Sequence, residues 1–386
     1  MKILYSECTF GEKEKQAVLD VFDSGWLSGG KYTSKFEKAL AQWWGVKYAV
    51  SVNSGSSANF IALQALNLKK PEVVTMAMGF PTTVSAIIYQ NLTPVYVDCH
   101  LPSYTIDLKE LEKAITKKTG AIIFAHTLGN VCNMDQVMKI VWKHGLKLIE
   151  DCCDAMGSTW KGKKVGTFGD LATVSFYPAH HMTTFGEGGA ILTNNQKLYK
   201  IAKSIRDWGR DCYCPWNVSN ACGKRFANPP FDHKYYYTRL GMNLKMTEAQ
   251  AAFGSVQIDR LEDFINKRKH NFVRLCQLIT NPDVILPVEL SGASTSWFAF
   301  PILYKKNKQQ FVEYLEKNGV QTRAIFAGNI TRHPAYKGKG RVVGKIPNSN
   351  KVMRGAFFVG LGPKIGEKQL QYMGHIINKY QQPTSS

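Results

Sequence analysis

Short, nearly continuous apolar runs recur along the first half of the chain. They lie at Tyr48–Val52 and Glu72–Met78, in TPVYVD from Thr93, AIIFAHTLGN from Ala121, LKLIE up to Glu150, LATVSFYP from Leu171 and AILTNN from Ala190. Runs of this length, bounded by turn residues, are the pattern of strands buried on both faces. Between them fall helical stretches: FIALQAL up to Leu66, a segment from about Leu108 to Lys117, and one opening at Met134. Alternation of strand and helix predicts an α/β fold, a doubly wound and mainly parallel sheet. From about Leu261 the pattern changes to a long charged helix, short strands in TSWFAFPILY, the helix KQQFVEYLEKNG and a basic, aromatic end. The expected division is a large domain over residues 1–260 and a smaller C-terminal α+β domain over 261–386. The closing QQPTSS is expected to be loose.

Composition narrows the class. An apolar content of 44% is ample for a packed core. No uncharged apolar run reaches the roughly 18 residues of a membrane span. The opening MKILYSECTFGEKEKQ becomes charged too early for a secretory leader, so a cytoplasmic location is expected. The net charge is +20, but Lys and Arg are dispersed, with no long basic block and no aromatic-interleaved RNA motif. The charge is therefore read as a solvated surface whose field attracts an anionic substrate or an acidic partner, and not as a nucleic-acid footprint.

Candidate chemistry concentrates between Glu150 and Gly189. One apolar run ends in Asp151, and the next ends in His180 and His181 before a Gly-Glu-Gly-Gly turn. Open α/β sheets bind ligands at the carboxyl ends of their strands. Upstream, Gly55 and Ser56 open the helix that follows Tyr48–Val52, and a helix start offers N–H groups and hydroxyls to an anion. A capped helix without a ligand satisfies the same residues. Phe80 follows the strand from Glu72 and could lie against a flat heterocycle or simply pack in the core. Nine cysteines, an odd number, argue against a disulfide framework. Four of them, Cys153, Cys212, Cys214 and Cys222, are spaced C-x58-C-x-C-x7-C. Four thiolates suit a [2Fe–2S] cluster or a structural zinc. The other five read as small apolar residues.

The stretch from Ser175 to Gly189 resembles the DegT/DnrJ/EryC/StrS sugar aminotransferase family, which uses pyridoxal phosphate on an aspartate-aminotransferase-like fold (PLP fold type I). The family's lysine, which holds the cofactor covalently, follows the Ser-Phe run; here Ser175-Phe176-Tyr177-Pro178-Ala179-His180 places His180 there. A histidine cannot make that covalent link. SFYPAHH with GEGG is similar to the branch of pyridoxamine-phosphate-dependent sugar 3-dehydratases. The resemblance implies phosphate binding by Gly55, Ser56 and Ser175, ring stacking by Phe80, and pairing of Asp151 with the pyridine nitrogen. It makes His180 the general base, with His181 pointing the other way. Asn243, in GMNLKMTEAQAA, is implied to reach the phosphate of a partner subunit, hence a homodimer with shared sites.

The cysteine spacing is similar to that of the iron–sulfur members of this branch, the CDP-4-dehydro-6-deoxyglucose 3-dehydrases. Their first gap is one residue shorter, and Phe185, read as a loop insertion, accounts for the difference. The resemblance implies a [2Fe–2S] cluster on Cys153, Cys212, Cys214 and Cys222. It also implies a nucleotide-linked 4-keto-6-deoxyhexose as substrate, with CDP favoured, in 3,6-dideoxyhexose synthesis for lipopolysaccharide O-antigen. A separate flavin/iron–sulfur NAD(P)H reductase is the implied electron source. A cluster-free, glutamate-dependent dehydratase and a non-catalytic zinc-bound relative are the alternatives. Arg323, the segment Phe326 to Asn329, Arg332 and His333 are expected near the substrate.

Overall fold

The computed structural model describes residues 1–216, 218 and 220–381, so all but Gln381 of the tail expected to be loose lies outside the described residues. Helices α1 (Glu12–Asp23) and α2 (Lys31–Trp44) lead into a large sheet. Its strands are β1 (Tyr48–Val52), β2 (Glu72–Met76), β3 (Thr93–Val97), β4 (Thr119–Ala125), β5 (Lys147–Asp151), β6 (Leu171–Ser175), β7 (Gly189–Thr193) and β8 (Arg341–Val342). They lie in the order β1-β7-β6-β5-β4-β2-β3-β8.

From β6 across to β8 all pairs are parallel, while β7 runs antiparallel to both β6 and β1. The expected mainly parallel sheet is present with one reversed strand. The cause is local: the segment from Phe176 to Gly188 contains no helix. Without a crossover element the chain returns beside β6 in the opposite direction.

Apolar clusters cover both faces of this sheet. One holds α3 (Gly55–Leu66), through Ala58, Ile61, Ala62 and Ala65, against Val50, Val73 and Ile123. The other takes Phe36, Leu40 and Trp44 of α2 with Val74, Phe124 and Leu148. Strand residues of period two thus face two separate cores, which is why the runs are apolar without a polar alternation.

The helices Glu248–Asp259 and Leu261–Leu278 meet at Arg260. Beyond them a four-stranded antiparallel sheet forms from Val284–Ile285, Phe300–Tyr304, Ala356–Val359 and Thr322–Ala324, in that order. Strand β8 leaves this C-terminal region to join the edge of the large sheet, where Arg341 grips Glu72 of β2 through two hydrogen bonds of 2.9 Å. Among the described residues no helix is long and apolar enough to cross a membrane.

Candidate active site

The carboxyl ends of β4, β5 and β6 open onto a cavity of about 590 Å³, within the range of small-molecule sites. Gly55, Ser56, Phe80, Asp151, Cys153, Ser175 and His180 all line it. Seven of the eleven residues given a catalytic, cofactor or metal role in the sequence therefore share one wall system. Cys212, Cys214, Cys222 and Asn243 do not reach it.

Asp151 ends β5 and is 3% exposed. Its Oδ2 accepts hydrogen bonds from Asn59 Nδ2 at 3.0 Å and Thr83 Oγ1 at 2.7 Å, and its Oδ1 accepts from the Cys153 N–H at 3.2 Å. Asn59 is itself fixed, because its Oδ1 accepts from Thr173 Oγ1 at 2.6 Å. The carboxylate is held from β6, from α3 and from α4 (Pro81–Tyr89) at once. A buried anion so restrained suits a cationic ring nitrogen at the pocket floor.

Gly55 is the first residue of α3, whose N-cap Ser54 accepts from the Ser57 N–H at 3.1 Å. A Cβ added at Gly55 would lie 2.7 Å from Ser175 Cβ and 3.1 Å from Cys153 Sγ, so only glycine fits between β6 and the turn after β5. The helix start is thereby brought against Ser175, with Ser56 exposed and its Oγ 3.0 Å from Thr82 Oγ1. Free N–H groups, hydroxyls and the positive helix end form a cradle that fits a phosphate. Phe80 is 46% exposed on the cavity wall, edge-on to Phe326 at 5.7 Å between centroids. The residues present therefore fit a pyridine ring carrying a phosphate.

His180 faces the same cavity, its Nδ1 3.3 Å from Oδ1 of buried Asp154, off the line of a hydrogen bond. Phe298 lies 5.3 Å from the imidazole, and Arg268 donates to the His180 carbonyl at 3.3 Å. His181 turns the other way, with Nε2 2.8 Å from the Ser296 carbonyl. Burial, with Arg268 nearby, pushes its pKa well below the ordinary imidazole value, which keeps it neutral. Phe185 sits exposed at φ 60° against Phe253, in the loop between β6 and β7.

Asn243 is exposed outside the cavity, its Oδ1 accepting from Lys245 Nζ at 2.7 Å. Phe326, Ala327 and His333 line the cavity as expected, whereas Asn329 is buried in local hydrogen bonds and Arg323 lies over Tyr5, itself on the cavity wall. Sequence reading missed Asn59, Thr83 and Asp154, whose meetings with Asp151 and His180 no local spacing reveals.

The thiols divide. Ligand atoms of Cys212, Cys214 and His233 lie within 4.8 Å of one another, and Cys222 Sγ is 3.4 Å from His233 Nδ1. Cys153 is not in that group. Burial and the charges of Asp151 and Asp154 push its thiol well above the ordinary value, which opposes a free thiolate there. Cys212 and Cys214 share that group with His233, and Cys222 adjoins the same imidazole from its other nitrogen. Cys99, Cys132 and Cys152 are buried in the apolar core.

The sequence profile of the DegT/DnrJ/EryC1/StrS aminotransferase family matches residues 9–378. The chain belongs to this family. It is 44% identical over 394 aligned residues to the lipopolysaccharide biosynthesis protein RfbH of Salmonella typhimurium, covering 96% of this chain and 89% of that one. It is 39% identical to dTDP-4-dehydro-2,6-dideoxy-D-glucose 3-dehydratase of Saccharopolyspora spinosa, covering 97% and 86%. The solved structure of E. coli GDP-4-keto-6-deoxy-D-mannose-3-dehydratase with bound hydrated PLP matches with a TM-score of 0.90 at 28% identity, covering 98% of this chain and 99% of that one. The fold is that of the type I pyridoxal-phosphate enzymes of this family.

Proposed function

We propose that this chain is a pyridoxamine-phosphate-dependent 3-dehydratase of a nucleotide-linked 4-keto-6-deoxyhexose, serving deoxysugar synthesis for lipopolysaccharide, and that it carries a [2Fe–2S] centre. The observation that carries the reading is His180, standing at the family lysine's place, open to the cavity and backed by Asp154. The names of the relatives, a lipopolysaccharide biosynthesis protein and sugar 3-dehydratases, support the same reaction class. Those relatives carry dTDP and GDP sugars, so the preference for CDP rests on the cysteine spacing alone.

When bound, the cofactor supplies an amine for the sugar's 4-keto carbon and a ring that takes up electrons. The chain's own groups do the rest. Gly55, Ser56 and Ser175 would hold the phosphate at the start of α3, and Phe80 would cover the ring face. Asp151 would pair with the ring nitrogen and favour its protonated form. His180, with Nδ1 turned to Asp154, has Nε2 left to take the proton whose removal drives loss of the sugar's 3-hydroxyl. Asn243, exposed outside the cavity of its own chain, would serve a second copy, the reading that makes the enzyme a homodimer. Residues 1–260 would then carry the cofactor and residues 261–386 close over the sugar. The reductive half calls for a separate flavin/iron–sulfur NAD(P)H reductase, and Cys153 is the fourth cysteine of the implied cluster.

An anaerobic absorption spectrum, with iron, sulfide and zinc analysis, tests the centre on wild type and Cys212→Ser. Visible iron–sulfur bands lost in the variant, with about two irons per chain, support it. A cofactor spectrum without iron leaves the glutamate-regenerated dehydratase. Release of a 3-deoxy sugar from CDP-, dTDP- and GDP-linked substrates, absent in His180→Asn, tests the reaction and selects the nucleotide.

A further inference from the structure

Arg268, on the helix Leu261–Leu278, is a cation with 4% exposure. Among the described residues its hydrogen-bond acceptors are all backbone carbonyls. Nη1 donates to the Phe298 carbonyl at 2.6 Å and to that of Trp297 at 3.5 Å, and Nη2 donates to the His180 carbonyl at 3.3 Å. Nε is buried without a partner. A buried charge is costly unless it is paired. Burial pulls the pKa of Arg268 down to about 10, against the opposing influence of the Asp154 carboxylate. Carbonyls can be met by neutral donors, so hydrogen bonding alone does not call for a cation here.

What the carbonyls belong to gives the charge a purpose. His180 carries the cavity imidazole, in a turn closed by its own N–H on the Tyr177 carbonyl at 2.9 Å. Phe298 carries the ring that lies 5.3 Å from that imidazole. One guanidinium thus fixes the backbone beneath the base and the backbone beneath the ring packed on it. Other titratable groups about His180 are Asp154 at 3.3 Å, Tyr177 and His181 of its own loop, Cys8, and Glu7 paired with Lys364. Asp151, Cys153 and Glu187 line the cavity onto which it opens. Arg268 is the buried cation of this set. We propose that Arg268 is a positioning residue for His180: it fixes the turn that presents the imidazole, and its charge, set against that of Asp154, opposes protonation of the ring. The reaction calls for that neutral ring, since an imidazole already protonated accepts nothing. The inference rests on the reading of His180 as general base, but the field acts on the ring whatever the substrate.

Histidine NMR of the full-length chain with pyridoxamine phosphate tests it, following the His180 ring signals against pH and identifying them by their loss in His180→Asn. In Arg268→Gln the titration midpoint should rise by about one pH unit, because a nearby like charge that disfavoured the imidazolium is gone. Arg268→Lys keeps the charge and should titrate with wild type. Arg268→Met, neutral and of similar length, carries the same expectation as Arg268→Gln should the latter not fold. Single-turnover rates should show the same signature. Below the midpoint the neutral variant should be about tenfold slower than wild type, the equivalent of one unit, with the deficit shrinking as pH rises. Arg268→Lys should show no such slope. A midpoint unmoved in the neutral variant, or moved equally in Arg268→Lys, overturns the proposal. A wild type that releases no 3-deoxy sugar while the midpoints move as stated overturns the dehydratase reading alone.

Discussion

Replacing Gly55 by alanine probes the cofactor cradle at its tightest point. The new methyl would sit 2.7 Å from Ser175 Cβ, a separation that carbon atoms do not tolerate, and 3.1 Å from the sulfur of Cys153. The thiol can rotate aside; the Ser175 Cβ, fixed to β6 in the middle of the sheet, cannot. Two effects of opposite sign then compete. Alanine in place of glycine favours a helix by up to about 1 kcal/mol, while overpacking a filled interior costs about 1–3 kcal/mol. Overpacking wins, for a net loss of about 1–2 kcal/mol. Moving the start of α3 away from Ser175 also opens the phosphate cradle, so cofactor affinity should drop by about tenfold or more, the equivalent of 1.4 kcal/mol. The assay is denaturant unfolding of the cofactor-free chain with a spectroscopic titration of pyridoxamine phosphate, run as a double-mutant cycle with Ser175→Gly. Ser175→Gly by itself should cost about 0.5–1 kcal/mol through backbone freedom, beyond the loss of its bond to the Tyr177 N–H. In that background Gly55→Ala should become nearly neutral, leaving a coupling of about 1–2 kcal/mol. If Gly55→Ala is equally damaging in both backgrounds, or harmless in both, the steric account of the cradle is wrong.

Other consequences are checked more simply. His180→Asn should leave folding and cofactor affinity within a few-fold of wild type while turnover falls by about 10²–10⁴, measured as single-turnover loss of the substrate's 3-hydroxyl; unchanged turnover would remove His180 from the reaction. Asp154→Asn should lower kcat at least about tenfold, because Asp154 backs the His180 imidazole and is itself held by the Leu128 N–H. Arg341 holds Glu72 down to a pKa of about 2, aided by Thr116 and Thr119. Depression of a folded-state carboxyl gives stability that is present above its unfolded value of about 4.3 and is lost as pH falls toward 2. The stability gap between wild type and Glu72→Gln should therefore shrink over that acid window in urea titrations, and a gap constant with pH would contradict the assignment.

Much of the fold was legible because buried strands advertise themselves as apolar runs, and seven of them form the large sheet where those runs lie. The direction of β7 was not, since a strand buried on both faces reads the same whichever way it points; only the missing helix between Ser175 and Gly189 carried that information. The strand Arg341–Val342 is two residues long and too short for any periodicity to show. Within the site, Asp151 and His180 were visible because each stands next to its strand run in sequence. Asp154 and His233 were not, because what gives them a task is contact with residues brought near only by folding. The same limit explains the thiols: a spacing groups four cysteines, yet Cys153 is fixed by β5 and the other three by a separate loop.

Asp151 is held by donors from β6 through Asn59, from α3 and from α4, so its setting is assembled only when all of these have docked on β5. A chain with any one of them undocked presents a carboxylate without its frame and a helix start without its seat beside Ser175. Capture of the cofactor is then a vote that requires every element, and a half-folded chain has no weakened version of the site to offer. Ligand added at about 100 times its dissociation constant should accordingly raise the unfolding free energy of the whole sheet by about 2.7 kcal/mol. Protection of amides should spread through β4, β5 and β6 together, far beyond the rim of the pocket.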